Sequence, residues 1–129
     1  MKKINYTDIH KYRYILNETY ELEHPLLKGL LSSTIVLKYI TLTPDGYITI
    51  YENYRWDGPS GPTIDTDSFM RGSLIHDALY QLIRSKLLPI SARKPSDKLL
   101  KIICRQDGMS LFRSSYVYFG VRFGGKSHV

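Results

Sequence analysis

Only one cysteine, Cys104, occurs in the 129-residue chain, so no internal disulfide can form, and no Cys/His spacing resembles a structural zinc site. The fold must rest on packing. No uncharged apolar run approaches the roughly 18 residues that a membrane-spanning helix needs, and the first residues, MKKINYTDIHKY, lack the apolar centre of a signal peptide. A soluble protein, cytoplasmic where it is made, is the expectation. Also missing are a P-loop, a Rossmann glycine fingerprint, a Gly-x-Ser-x-Gly elbow and a His-Glu-x-x-His helix. Nucleotide binding through such loops, serine esterase chemistry and zincin proteolysis therefore lose support. With 43% hydrophobic and 23% charged residues, the composition is that of a globular protein rather than a disordered or fibrous one. A chain this short has room for one domain and one modest core.

The formal charge of +6 is unevenly placed. Residues 1 to 83 hold eight basic and ten acidic side chains, and residues 84 to 129 hold ten basic and two acidic ones. In that basic third, Lys98, Lys101, Arg105, Arg113 and Arg122 suit the phosphates of an anionic lipid surface or of nucleic acid; a solvated helix face accounts for them equally well. The eleven tyrosines are scattered, without the basic-aromatic alternation of a single-strand-binding platform, so nucleic acid is not the favoured partner.

Residues 35 to 54 read as two β-branched and aromatic runs around Pro44-Asp45-Gly46, in which proline fixes φ and glycine takes a positive φ; this predicts a hairpin. Residues 12 to 22 have strand composition and supply a third strand. The stretch RWDGPSGPTIDTD at 55 to 67 holds too much Gly and Pro to continue a sheet or to begin a helix before Asp67. Helical periodicity over 67 to 87 places Phe69, Gly72, Ile75, His76, Leu79, Tyr80 and Ile83 on one face and Ser73, Asp77, Gln81 and Arg84 beside it. His76 should point inward. A second helix is predicted from an N-cap at Ser96 to Asp107-Gly108. A third follows from about Met109, with Phe112, Tyr116, Phe119 and Phe123 forming an apolar stripe. The expected architecture is α+β: a small N-terminal antiparallel sheet (1 to 54), a Gly/Pro/Asp loop (55 to 66), a three-helix part (67 to 125) and a polar tail (126 to 129).

Chemistry concentrates at the junction of these parts. His76 and Asp77 offer a proton acceptor and a hard oxygen ligand about 100° apart on one helix, enough to serve one bound water and one cation, with calcium or magnesium favoured over zinc. The loop ahead of them, with Trp56, Asp57, Gly58 and Ser60, can turn side-chain or backbone oxygens toward the same point. Asp97, on the next helix, can accept from the other ring nitrogen of His76 and fix its tautomer. On this reading His76 and Asp97 are catalytic, and Asp77 and Asp57 are metal ligands. Each has a plainer counterpart: His76 as a hydrogen-bonded core residue, and Asp65, Asp67 and Asp97 as helix caps.

Tyr54, Asp57, Ser60 and Pro62, with LIHDALY at 74 to 80, RKPSD at 93 to 97 and VYFGVRFG at 117 to 124, resemble a family of small uncharacterised proteins of tailed bacteriophages and prophages. In that family a loop Gly-Phe-x-x-Asp-x-x-Ser-x-Pro precedes a His-Asp-x-x-Tyr helix. Asn53 stands here at the glycine position, and Thr63 follows the proline. The resemblance implies a phage origin, with the protein in the host cytoplasm during infection or associated with the virion. The sequence is more distantly similar to secreted phospholipase A2, where a glycine-bearing calcium loop leads to a helix with His-Asp-x-x-Tyr. That likeness implies His76 as the activator of water, Asp97 as its orienter and Asp77 as a calcium ligand. The paired cysteines of those enzymes are missing, and Ser60 replaces the second loop glycine. The expected function is metal-assisted hydrolysis of an ester or amide of the bacterial envelope. The alternative is a non-enzymatic phage virion (tail or baseplate) or host-interaction protein, bound to other phage structural proteins, whose His/Asp cluster is structural.

Overall fold

The computed structural model describes residues 3–10, 13–58 and 67–124. Within them the chain is α+β. Seven short strands, all before residue 57, form two antiparallel sheets, and three helices follow: α1 (Asp67–Arg84), α2 (Arg93–Gln106) and α3 (Leu111–Gly124). The strands are β1 (Tyr6–His10), β2 (Arg13–Leu16), β3 (Tyr20–Glu23), β4 (Ile35–Val36), β5 (Ile40–Leu42), β6 (Tyr47–Ile50) and β7 (Arg55–Trp56). One sheet has the order β1-β2-β7 and the other β3-β6-β5-β4.

The hairpin at Pro44-Asp45-Gly46 joins β5 to β6, with Ile40 opposite Ile50 and Leu42 opposite Ile48, and Gly46 takes φ +88° in the turn. Ile40, Leu42, Ile48 and Ile50 are all fully buried, which fixes the register because a slip of one residue would turn them to solvent. Three details differ from the sequence reading. Residues 12 to 22 do not make one strand: β2 joins one sheet and β3 the other, where β3 pairs with β6. The expected loop from residue 55 begins with a strand instead, because Arg55 and Trp56 pair with Ile15 and Tyr14. There are therefore two sheets where one was expected.

α1 is buried nearly all round, from Phe69 to Ile83, leaving Asp67, Ser68, Asp77, Gln81 and Arg84 as its wetter positions. It is the central helix. The sheets pack on it, and Gly72 lets α2 approach so closely that an added Cβ would stand 2.9 Å from Leu100 Cδ1 and 3.0 Å from Cys104 Sγ. α2 starts at Arg93 rather than at a Ser96 cap: Pro95 falls in its first turn, where the missing N–H costs nothing, and Ser96 Oγ donates back to Ala92 O. Asp97 is therefore no cap; it lies in the second turn, fully buried. The stripe on α3 forms but faces solvent. The helix packs chiefly on α2, through its opposite side at Ser114, Val117 and Val121.

Candidate functional site

His76 projects from the middle of α1 toward α2, as the helical periodicity predicts. Its Nε2 lies 2.6 Å from Asp97 Oδ1, at a site where Asp97 is sealed from solvent and His76 is nearly so. The same oxygen accepts from Tyr80 Oη at 2.7 Å, and Tyr80 Oη accepts in turn from Arg93 Nε at 3.2 Å. Arg122 Nη1 donates to Asp97 Oδ2 at 2.8 Å, and Arg93 Nη2 stands 3.7 Å from that oxygen. Helical spacing explains two of these meetings: His76 and Tyr80 are four residues apart with ring centroids 4.1 Å apart, and Arg93 and Asp97 are likewise i,i+4.

Burial opposes ionisation of Asp97, but the hydrogen bonds from His76, Tyr80 and Arg122 outweigh it and hold the carboxyl below its ordinary range. Asp97 is thus a carboxylate and can only accept, so His76 Nε2 carries a proton toward it and Nδ1 is left as the basic nitrogen. Among the described residues no group hydrogen-bonds Nδ1. Burial and the bond to Asp97 push the Tyr80 hydroxyl up to about 12, which keeps it a donor.

Asp77, next along the helix, retains partial solvent access and accepts a hydrogen bond from the backbone N–H of Asp57. Burial, and then the charge of Asp57, push its carboxyl up to about 7, against the pull of Arg84. Trp56 is buried, and its indole N–H donates to Ser73 Oγ at 3.1 Å, so residues 56 and 57 run along the Ser73/Asp77 side of α1 beside His76. The Asp57 side chain is turned to solvent and pairs loosely with Arg13 at 3.5 Å. Gly58 is held by a close approach: it takes φ +70°, and an added Cβ would run into the Tyr14 ring. Ser60 and Asp65 lie outside the described residues, and Asp67 is an exposed acid in the first turn of α1, suited to its dipole.

The structure thus brings His76 to Asp97, and Asp77 to the backbone of Asp57. The Asp57 carboxylate itself turns to solvent beside Arg13, near enough for its charge to raise Asp77. Among the described residues no group of three or more His, Cys, Asp and Glu side chains converges as a metal site. Sequence reasoning assigned no role to Tyr80 and Arg93, and placed Arg122 on the basic surface. The RKPSD spacing and the tyrosine four residues after His76 were the available signals, whereas nothing local marks Arg122 as inward. A groove of about 620 Å³ lies elsewhere, along β3, with Arg71 at its floor already paired to Asp107 at 3.0 Å and to Tyr20 Oη at 2.7 Å.

No protein-family model, no curated protein and no solved structure matches the chain. Among the described residues no helix is long and apolar enough to cross a membrane.

Proposed function

We propose that the chain is a phage-encoded hydrolase in which His76 is the general base and Asp97 its orienting carboxylate. The observation that carries this reading is the 2.6 Å His76–Asp97 bond, which leaves Nδ1 without a partner among the described residues and one helical position from the Asp77 carboxylate. Nδ1 takes a proton from water as the oxygen adds to an ester or amide carbonyl, and Asp97 stabilises the imidazolium that forms. The imidazolium then returns the proton to the departing alcohol or amine, leaving a carboxylic acid. The substrate class is an ester or amide of the bacterial envelope, a lipid ester first, reached from the host cytoplasm or with the virion. Asn53 supports the family likeness on which the phage origin rests: it takes φ +77°, where glycine is favoured and asparagine is the tolerated substitute. A calcium or magnesium ion would be held by Asp77, with Asp57 beside it, and would supply positive charge for the developing oxyanion.

A second reading has its own observation. Asp97 is sealed and takes donors from three sources, two of them His76 and Tyr80 on α1 and the third Arg122 on α3. Two guanidiniums offset its charge, leaving less for an imidazolium. This suits a strut in a virion or host-interaction protein.

His76→Gln separates the two. The amide keeps a hydrogen bond to Asp97 but cannot cycle a proton near neutral pH. On the hydrolase reading, release of fatty acid from bacterial phospholipid vesicles with calcium present falls by at least about 100-fold while the melting temperature hardly moves. A folded His76→Gln protein that retains full hydrolysis, or a wild type that hydrolyses neither phospholipid nor envelope fractions, leaves the strut as the function of the cluster. Calorimetric titration with calcium tests Asp77 separately: saturation by about 100 times the Kd should stabilise the fold by roughly 2.7 kcal/mol, and Asp77→Asn should abolish both heat and shift.

A further inference from the structure

Among the described residues, the outer face of α3 carries four exposed aromatic side chains along one helix. Phe112, Tyr116, Phe119 and Phe123 are 84%, 69%, 57% and 80% exposed. A small protein gains nothing by leaving four aromatic rings in water along one helix, so something covers them. Their spacing says what. Steps of four, three and four residues are those of a coiled-coil seam, confining the rings to an arc of about 60° at 3.6 residues per turn. A helix lying in a membrane surface presents a broader apolar face flanked by basic residues. Within this seam there is no charge: the positions beside the rings are Ser115 and Gly120, and of the arginines beyond them Arg122 is drawn away to Asp97 while Arg113 is half-buried toward Cys104.

We propose that α3 pairs antiparallel with α3 of a second copy. The spacing is symmetric about its centre, so a two-fold axis there sets Phe112 against Phe123 of the second copy and Tyr116 against Phe119, each contact made twice. An aromatic side chain presents roughly 150–250 Å². The exposed fractions of the four rings then amount to about 600 Å² per copy, or roughly 1,200 Å² for the pair, which is the lower bound of a specific interface. The last turn of α3 also holds the candidate site, since Arg93 Nη2 donates to the carbonyls of Val121 and Arg122 while Arg122 holds Asp97. Pairing would therefore brace the helix that closes the His/Asp network, whether that network is catalytic or structural.

Sedimentation of the full chain across about 1–200 µM tests the pairing. The expected result is a species of twice the 15.0 kDa monomer mass, converted to monomer by Phe119→Glu with little change in far-ultraviolet circular dichroism. Oxidative cross-linking tests the direction: a mixture of Phe112→Cys and Phe123→Cys chains should cross-link several-fold more than either alone. Cys104 does not compete, being buried with its thiol pushed up to about 12. A wild type that stays monomeric throughout overturns the proposal. So does equal cross-linking of each variant alone and mixed, or a monomer that pellets with anionic vesicles through these rings.

Discussion

Asp77 and Asp97 are two carboxylates on facing helices that the fold treats in opposite ways. Burial and the neighbouring Asp57 charge raise Asp77 to about 7, whereas hydrogen bonds hold Asp97 below its ordinary range despite burial. The signs for stability follow. Because Asp77 binds its proton more tightly folded than unfolded, its favourable contribution is complete below about pH 4 and is lost as the pH rises through 7. Asp77→Asn keeps an acceptor for the Asp57 N–H and removes that loss. The variant is expected to be more stable than wild type by about 1 kcal/mol at pH 8, its partial solvent access limiting the gain, and no more stable at pH 4. Melts at the two pH values check this, and an equal shift at both would sink it. A gain in stability at a residue whose loss also removes cation binding would mark Asp77 as kept for function. Of the site residues, His76 was legible because helical spacing alone aims it inward. The contact with Asp97 needed only the right side of α2, which also carries Arg93 one turn before it, but Arg122 needed the packed structure.

At the scale of elements, legibility followed the strength of local signals. α1 announced itself by apolar recurrence over five turns, and the β5–β6 hairpin by Pro-Asp-Gly. β7 was hidden because two paired residues leave no periodicity and the glycines and prolines after them dominate the stretch. The division of residues 12 to 22 was equally hidden: Arg13–Leu16 and Tyr20–Glu23 have similar strand composition, and which sheet each enters is decided by partners distant in sequence. The contact between α1 and α2 is a further case, since a glycine inside a helix reads only as a weak point until the neighbouring helix is seen. At Gly72 the gap is filled by Leu100 and Cys104. Gly72→Ala would raise helix propensity by roughly 1 kcal/mol, yet overpacking a buried contact costs about 1–3 kcal/mol. The net expectation is a loss of about 1 kcal/mol, measured by urea unfolding, and a stabilised variant would show that the helices can part without cost.

For the whole molecule, the buried residues fall into two clusters of unequal size. The larger joins both sheets, α1, and Leu99 and Ile103 of α2; the smaller holds Phe69, Leu100, Cys104, Met109 and Val117 under α3. α3 contributes few buried side chains, so its attachment leans on polar ties, Arg122 to Asp97 and Arg93 to the carbonyls of Val121 and Arg122. Stability in such a structure is not uniform, and the element with least buried area opens first. Acid should act through the same ties. Asp97 has a folded pKa below its unfolded value, so its contribution is present above about pH 4 and is lost as the pH falls through the folded value. Protonation there leaves the half-buried Arg122 without its counter-charge, and that strain falls on α3, not on the sheets. Hydrogen exchange on the Phe119→Glu chain, free of any pairing through α3, should show α3 amides exchanging faster than those of α1. Asp97→Asn at neutral pH should speed α3 by at least about tenfold, equivalent to roughly 1.4 kcal/mol, while the β5–β6 hairpin stays protected. Uniform acceleration across sheets and helices would instead place Asp97 in the global unfolding unit, and the picture of a helix latched by one carboxylate would be lost.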